Sequence, residues 1–254
     1  MQYWRKLNWF QRPISTYFSF TTGYIRTHNM QRHMNSCEKN ESRGAKASFT
    51  FSPKQKVWLF FKRAIDIFGS FIGIILLGLP MLVIAIITRC TSKGPAIFKQ
   101  KRLGKNEKPF TMLKFRSMRV NARCAGANDM TEEEHQACIT KWGNFMRKTS
   151  IDEWPQLFNI FAGHMSFIGP RPMMDGKIEP RLYDARKSCE PDSFLVRPGL
   201  CGLAIVKMHR SHDPMEKARY DSDYVRDLSL GMDVKIFFIA FGILLGFNKK
   251  DRGS

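Results

Sequence analysis

Ile67 to Thr88 reads IFGSFIGIILLGLPMLVIAIIT, 22 residues without a charged side chain. An α-helix needs about 20 apolar residues to cross the hydrocarbon core of a bilayer. This run therefore predicts a membrane helix rather than the buried helix of a soluble domain. Pro80, two residues after Gly78, sits inside the run and removes a backbone hydrogen bond there. Both flanks are basic: Lys54, Lys56, Lys62 and Arg63 precede the run, and Arg89, Lys93, Lys99, Lys101 and Arg102 follow it. A crossing helix keeps its Lys/Arg-rich flank on one side, the cytoplasmic one. Equal basic flanks instead predict a re-entrant membrane helix that enters, breaks at Pro80 and returns to the same face.

Outward from this segment the positive charge continues. Residues 89–119 carry ten Lys/Arg and one acid, Glu107, within a chain of 254 residues that has 41 Lys/Arg against 22 Asp/Glu, a net charge of +19. Such an excess needs an anionic partner: nucleic acid, a phospholipid surface or phosphorylated substrates. Its concentration beside the apolar run favours lipid headgroups and phosphates, and no nucleic acid is expected. Residues 1–52 form a basic arm interleaved with Trp4, Trp9, Phe10, Tyr17, Phe18 and Phe20, read either as a membrane-surface arm or as a disordered tail. The expected division is thus an arm over 1–52, the membrane helix and its flanks over 53–93, a catalytic domain at the cytoplasmic face over 94–248, and a tail over 249–254. The six cysteines show no regular spacing and are read as free thiols of a reducing compartment.

The expected fold class is α/β, mixed and helix-rich. Ala96–Lys101 and Pro109–Phe115 flank the turn-like Gly104–Lys108 and predict a β pair. A short helix is expected near Thr131, with Glu132, Glu133 and Glu134 in its first turn, and another from Trp154 to Phe161. Strands are expected near Phe194–Val196 and Leu203–Lys207, then a polar helix after Pro214. The last apolar run, Ile236–Phe247, has 12 residues, too few to span and suited to lying in the interface.

Three clusters carry candidate chemistry. In Lys114-Phe115-Arg116-Ser117-Met118-Arg119, alternating cations on a strand aim at a pocket or simply face lipid headgroups. In Arg147-Lys148-Thr149-Ser150-Ile151-Asp152-Glu153-Trp154-Pro155-Gln156, adjacent carboxylates stand at a helix start. Ser150 with Glu153 matches a capping box, although Pro155 fits better if Asp152 is the cap. The alternative is functional. A helix dipole lowers a carboxylate's pKa and attracts phosphate, so an ionised Asp152 there is a nucleophile toward phosphorus, with a divalent cation offsetting the anion–anion repulsion. In Gly169-Pro170-Arg171-Pro172, two prolines restrict the backbone around an arginine suited to gripping an oxyanion, or make a rigid exposed turn. His209, His212 and Asp213 outline an incomplete metal site or a polar loop.

Taken together and in order, these blocks resemble the bacterial sugar transferase family, the monotopic phosphoglycosyl transferases, over roughly residues 57–247. The resemblance rests on KRAIDIFGSFIGIILLGLP (62–80), GPAIFKQKRLGKNEKPFTMLKFRSM (94–118), RKTSIDEWPQLFNIFAGHMSFIGPRP (147–172), VRPGLCGL (196–203), YDSDYV (220–225) and DVKI (233–236). It implies an enzyme that moves a sugar 1-phosphate from a UDP-sugar to polyprenyl (undecaprenyl) phosphate, with release of UMP. The reaction runs through a covalent phosphosugar–aspartate at the cytoplasmic face of the bacterial inner membrane, as the first membrane step of polysaccharide or glycoconjugate synthesis. Carried over by position, Asp152 is the nucleophile and Glu153 its partner, both near a required Mg²⁺. Lys114, Arg147, Arg171, Arg210 and Asp221 match substrate-binding positions. Leu79 stands where the family often has serine before the helix-breaking proline, and Ile205 where it has glutamine. Two readings from other classes compete: a nucleic-acid-binding protein, and a membrane-anchored scaffold whose Asp152-Glu153 pair only caps a helix.

Overall fold

The computed structural model describes residues 49–119, 138–208 and 213–244. The arm up to residue 48, the helix expected at Thr131, His209, Arg210, His212 and the tail over 249–254 lie outside the described residues.

A helix of 39 residues, α1 (Pro53–Thr91), opens the described chain. Its start is set locally. Ser52 accepts from the Gln55 amide, Gln55 returns the bond to the Ser52 amide, and Pro53 takes the first helical position, where its missing N–H costs nothing. The expected break at Pro80 does not interrupt the helix. Pro80 lies on the exposed side, and Leu77, Met81 and Ile84 pack on the body to either side of it. A proline deletes its own hydrogen bond and crowds one carbonyl, and such packing carries the helix past that local fault.

Burial along α1 follows one stripe, with Asp66, Ser70, Met81, Ile84 and Thr88 buried at helical spacing. The opposite face leaves Phe60, Phe68, Leu76 and Leu79 about 70% exposed. The helix is long and apolar enough to cross a membrane, and that face is exposed apolar surface.

After α1 come β1 (Ile97–Leu103) and β2 (Pro109–Phe115), antiparallel with Ile97 opposite Phe115 and Leu103 opposite Pro109. The expected hairpin is present, with a 3₁₀ turn at Lys105–Glu107. Helix α2 (Lys141–Thr149), a 3₁₀ turn (Ile151–Glu153) and α3 (Gln156–Phe161) follow, then β3 (Ser166–Ile168) and α4 (Pro180–Ser188). The described residues end with β4 (Gly199–Cys201), α5 (Leu203–Lys207), α6 (Pro214–Arg226) and α7 (Leu230–Leu244). The expected polar helix is α6, capped by Asp213, which accepts from the Met215 and Glu216 amides.

Two expected strands are corrected. Residues 193–195 form a 3₁₀ turn in which Asp192 accepts from the Phe194 amide, and 203–207 form α5. The pairing partner of β3 is β4, parallel, with Ser166 opposite Gly199 and Ile168 opposite Cys201. The two backbones approach so closely that a Cβ on Gly199 would lie 2.2 Å from the Gly169 nitrogen. Short apolar runs do not reveal their period, and the glycine-rich VRPGLCGL block supplied the strand instead of its apolar neighbours.

One body holds α1 along its length. Near the start, Trp58 and Lys62 donate to Asp233 Oδ2 (3.1 and 2.8 Å), while Tyr224 donates to Asp233 Oδ1 (2.8 Å). Asp66 accepts from Ser166 Oγ and the Phe167 amide. At the far end, Arg116 donates to the carbonyls of Ser92 (2.6 Å) and Pro95 (2.5 Å), and Trp142 donates to Thr88 Oγ1 (3.1 Å). Between these clasps Leu157 and Ile160 of α3 pack with Phe110 and Met112 of β2, and Ile74 and Leu77 of α1 close the cluster.

Candidate active site

Lys114 reaches the site because β2 alternates. Phe110 and Met112 point into the core, and Lys114, next in that parity, emerges at its edge, where its Nζ lies 2.6 Å from Glu153 Oε1. Arg116 does not continue the alternation. The strand ends at Phe115, and Arg116 turns inward to bind the end of α1, so the expected pair of cations separates into one at the cleft and one structural.

Helix α2 begins at Thr140, which accepts from the Gly143 amide. A Cβ on Gly143 would lie 1.9 Å from the Ser117 carbonyl oxygen, so only glycine allows this approach. The approach lets Arg147 Nε donate to Ser117 Oγ (2.9 Å). Ser150 then adopts a left-handed conformation (φ 56°) that ends α2 and turns the chain into the 3₁₀ turn carrying Asp152 and Glu153.

Neither capping expectation holds. Ser150 makes no side-chain cap bond, and Pro155 occupies the cap of α3 without one. Asp152 and Glu153 therefore have no helix-capping duty. The expected lowering of the Asp152 pKa by a helix dipole is also corrected. Burial pushes the carboxyl up, Lys114 and Arg147 pull it back only in part, Glu153 adds to the rise, and the net direction is upward. For Glu153, burial pushes upward too, but Lys114 and Arg171 outweigh it and hold the carboxyl below its ordinary value. The two adjacent acids are thus driven apart, one toward the protonated form and one toward the ionised form.

Arg171 stands on a loop held by its backbone. Gly169 N donates to Cys201 O, Gly199 N to Pro170 O (2.9 Å), Leu103 N to Met173 O (2.9 Å), and Arg102 Nη1 to Pro172 O (3.2 Å). Arg186 Nη2 donates to Arg171 O at 2.9 Å. The guanidinium of Arg171 remains 57% exposed and 3.9 Å from Glu153 Oε1. Fixed backbone with a free head is a suitable arrangement for gripping an arriving oxyanion.

A shallow cleft has Arg102, Lys114, Glu153, Gln156, Arg171 and Gly199 in its walls. The structure brings Lys114, Glu153 and Arg171 together here. Asp152, 8% exposed, lies beside the cleft within the fields of Lys114 and Arg147. Asp221 lies away from the lining of this cleft. It is 1% exposed and paired with Arg186, the residue that also holds the Arg171 carbonyl. Arg102 and Arg186 were not among the expected site residues, and Gln156 closed the second cluster without a role of its own. Arg102 belongs to the basic run and Gln156 follows the acids by three positions, but neither has a local signal for its partners.

Among the described residues no third His, Cys, Asp or Glu joins the two acids in a metal-holding group. Two carboxylates suffice for Mg²⁺, which keeps several waters and shares substrate phosphates. Asp152 and Glu153 are adjacent carboxylates of the kind that ion takes.

The sequence profile of a family described as bacterial sugar transferase matches residues 57–246. A UDP-glucose:undecaprenyl-phosphate glucose-1-phosphate transferase of Klebsiella pneumoniae is 38% identical over 204 residues, 78% of this chain and 43% of that protein. The exopolysaccharide production protein PSS of Rhizobium leguminosarum bv. phaseoli is 37% identical over 71% of this chain and 92% of its own length. A UDP-N-acetylgalactosamine-undecaprenyl-phosphate N-acetylgalactosaminephosphotransferase of Aeromonas hydrophila is 35% identical over 76% of this chain and 46% of its own. The chain thus spans less than half the length of the Klebsiella and Aeromonas relatives.

Proposed function

The chain belongs to the bacterial sugar transferase family, and from that premise we propose that it moves a sugar 1-phosphate from a UDP-sugar to polyprenyl (undecaprenyl) phosphate. The reaction divides at a covalent intermediate. A carboxylate oxygen of Asp152 attacks the β-phosphorus, the bond from that phosphorus to the bridging oxygen breaks, and UMP leaves with the electron pair. An oxygen of polyprenyl phosphate then attacks the same phosphorus, breaks the acyl–phosphate bond and restores the Asp152 carboxylate. Mg²⁺ held by Asp152, Glu153 and donor phosphates would supply charge neutralisation. Lys114 keeps Glu153 ionised, and Lys114 and Arg171 receive phosphate oxygens.

One observation carries this reading. Asp152 is a buried carboxylate without a capping bond, next to the Lys114–Glu153 pair and in the fields of Lys114 and Arg147, which oppose the upward push of burial on its pKa. Burial keeps water from solvating the nucleophile, and the cations favour its ionised form beside an arriving phosphate.

The reaction takes place at the cytoplasmic face of the inner membrane, as the first membrane step of polysaccharide or glycoconjugate synthesis. That the unbroken α1 keeps both of its ends at one face of the bilayer, without crossing it, is part of the proposal. At about 1.5 Å per residue, α1 is roughly 58 Å long, yet the same body binds it at Trp58 and Lys62 and again at Thr88 and Ser92. A simple crossing would put those clasps on opposite sides of the bilayer. Exposed Phe237, Phe238 and Phe241 on α7 give a second apolar face for the interface.

The test is UMP release across a panel of UDP-sugars with polyprenyl phosphate present. One sugar should give turnover, and donor alone should give one UMP per enzyme with a phosphosugar on the Asp152 peptide. An adduct elsewhere, or UMP release that requires both substrates, would refute the two-step scheme.

A further inference from the structure

Helix α3 carries two buried amides that behave differently. Asn159, 5% exposed, is fully engaged: its Nδ2 donates to Thr111 O (2.7 Å) and its Oδ1 accepts from the Leu113 amide (2.9 Å), tying α3 to the edge of β2. Gln156, one turn earlier and 2% exposed, has a side-chain nitrogen with no hydrogen-bond partner among the described residues. Buried amides are nearly always satisfied, because an unpaired donor forfeits its hydration without recompense. Its neighbours Leu157 and Ile160 show that an apolar side chain packs well on this helix. Packing therefore gives no reason for an amide at 156.

Gln156 lies in the wall of the cleft with Arg102, Lys114 and Arg171, its side-chain nitrogen shielded from solvent just behind that wall. The acid of that wall, Glu153, is already paired with Lys114 at 2.6 Å. Arg102 is occupied by Gln100 Oε1 and Pro172 O. A cleft with surplus positive charge and an unused N–H donor is complementary to an oxyanion.

We infer that Gln156 is a substrate-binding residue whose side-chain amide donates a hydrogen bond to a phosphate oxygen of the ligand in this cleft. The nucleotide-sugar donor and the lipid acceptor both present such an oxygen. The inference rests on the proposed reaction only for the choice of ligands. The neutral donor complements the cations. It fixes the direction of one oxygen without adding charge that would hold the phosphate back at release.

The experiment compares full-length wild type with Gln156→Met and Gln156→Glu in lipid nanodiscs. Gln156→Met keeps the volume and deletes the unpartnered donor, so its thermal midpoint should equal or exceed that of the wild type. Its affinity for UDP with Mg²⁺ should fall about 10- to 100-fold, the size of one hydrogen bond to a charged group. Gln156→Glu should bind UDP more weakly still, because its carboxylate opposes the phosphate. If UDP binding is unchanged but KM for a short-chain polyprenyl phosphate rises by a similar factor, the oxygen belongs to the acceptor, and the amide still serves a phosphate. Unchanged UDP binding together with unchanged acceptor KM overturns the inference. So does a Gln156→Met midpoint well below that of the wild type, since the amide would then be holding the fold. A wild type that binds UDP but releases UMP from no UDP-sugar would sink the proposed reaction and leave the Gln156 comparison standing.

Discussion

Arg186 and Asp221 form a buried ion pair, Nη2 to Oδ2 at 2.6 Å, and the same nitrogen holds the carbonyl of Arg171 at 2.9 Å. The pair is imperfectly solvated, for Arg186 Nε and Asp221 Oδ1 have no partners among the described residues. Burial pushes the Asp221 carboxyl up, and Arg186 restrains it only in part. Removing one member strands a buried charge, so Arg186→Met should cost about 3–5 kcal/mol of stability. The double variant Arg186→Met with Asp221→Leu should recover most of that, as apolar replacements of buried pairs commonly do. Activity should not return with it, because the Arg171 carbonyl stays unheld. Denaturant titration and UMP release on the three proteins check both halves. Full activity in the double variant would reduce the pair to a stability element.

Asp152→Asn separates nucleophile from scaffold. The variant should fold, remain membrane-bound and lose both the UMP burst and turnover.

The same substitution has a signed consequence for stability. The folded protein raises the Asp152 pKa above its unfolded value. Ionised Asp152 therefore penalises the fold above that raised pKa, and the penalty disappears as pH falls below the ordinary carboxylate value. Asp152→Asn should melt above wild type at neutral pH, with the gap closing on acidification. A constant gap across that range would contradict a raised pKa. In the wild type, the acid limb of donor-only UMP release should lie above the usual aspartate range.

Arg171→Lys tests the grip on phosphate. A lysine ammonium keeps the charge but lacks the planar fork that binds two oxygens at once. A loss of roughly 1.5–3 kcal/mol of transition-state stabilisation is expected, the range for hydrogen bonds to charged groups. Near-normal kcat/KM would demote Arg171 to a turn residue.

Topology is tested by single cysteines at Lys56 and Lys93 in an otherwise cysteine-free chain. Both should react with an impermeant maleimide only from the cytoplasmic side, because the body clasps α1 at both ends. Periplasmic labelling at either position would establish a crossing.

Local signals in the sequence determined much of this chain. Twenty-two uncharged residues determine a long apolar helix, the turn at 104–108 determines the β1–β2 hairpin, and Asp213 before Pro214 determines the start of α6. These depend on hydrophobic length, turn chemistry and caps, all set within a few residues of one another. Tertiary structure decided what the polar groups do. Ser150, Asp152 and Glu153 carry a capping pattern, yet the left-handed Ser150 and the Lys114 ammonium, 39 residues from Glu153, give them other roles. Burial reversed the direction in which the Asp152 pKa was expected to move. Asp221 became half of a pair with Arg186, 35 residues away, and the unpartnered amide of Gln156 shows only when its surroundings are folded around it. Desolvation and partnership are properties of the packed neighbourhood, and residues dozens of positions apart supply that neighbourhood.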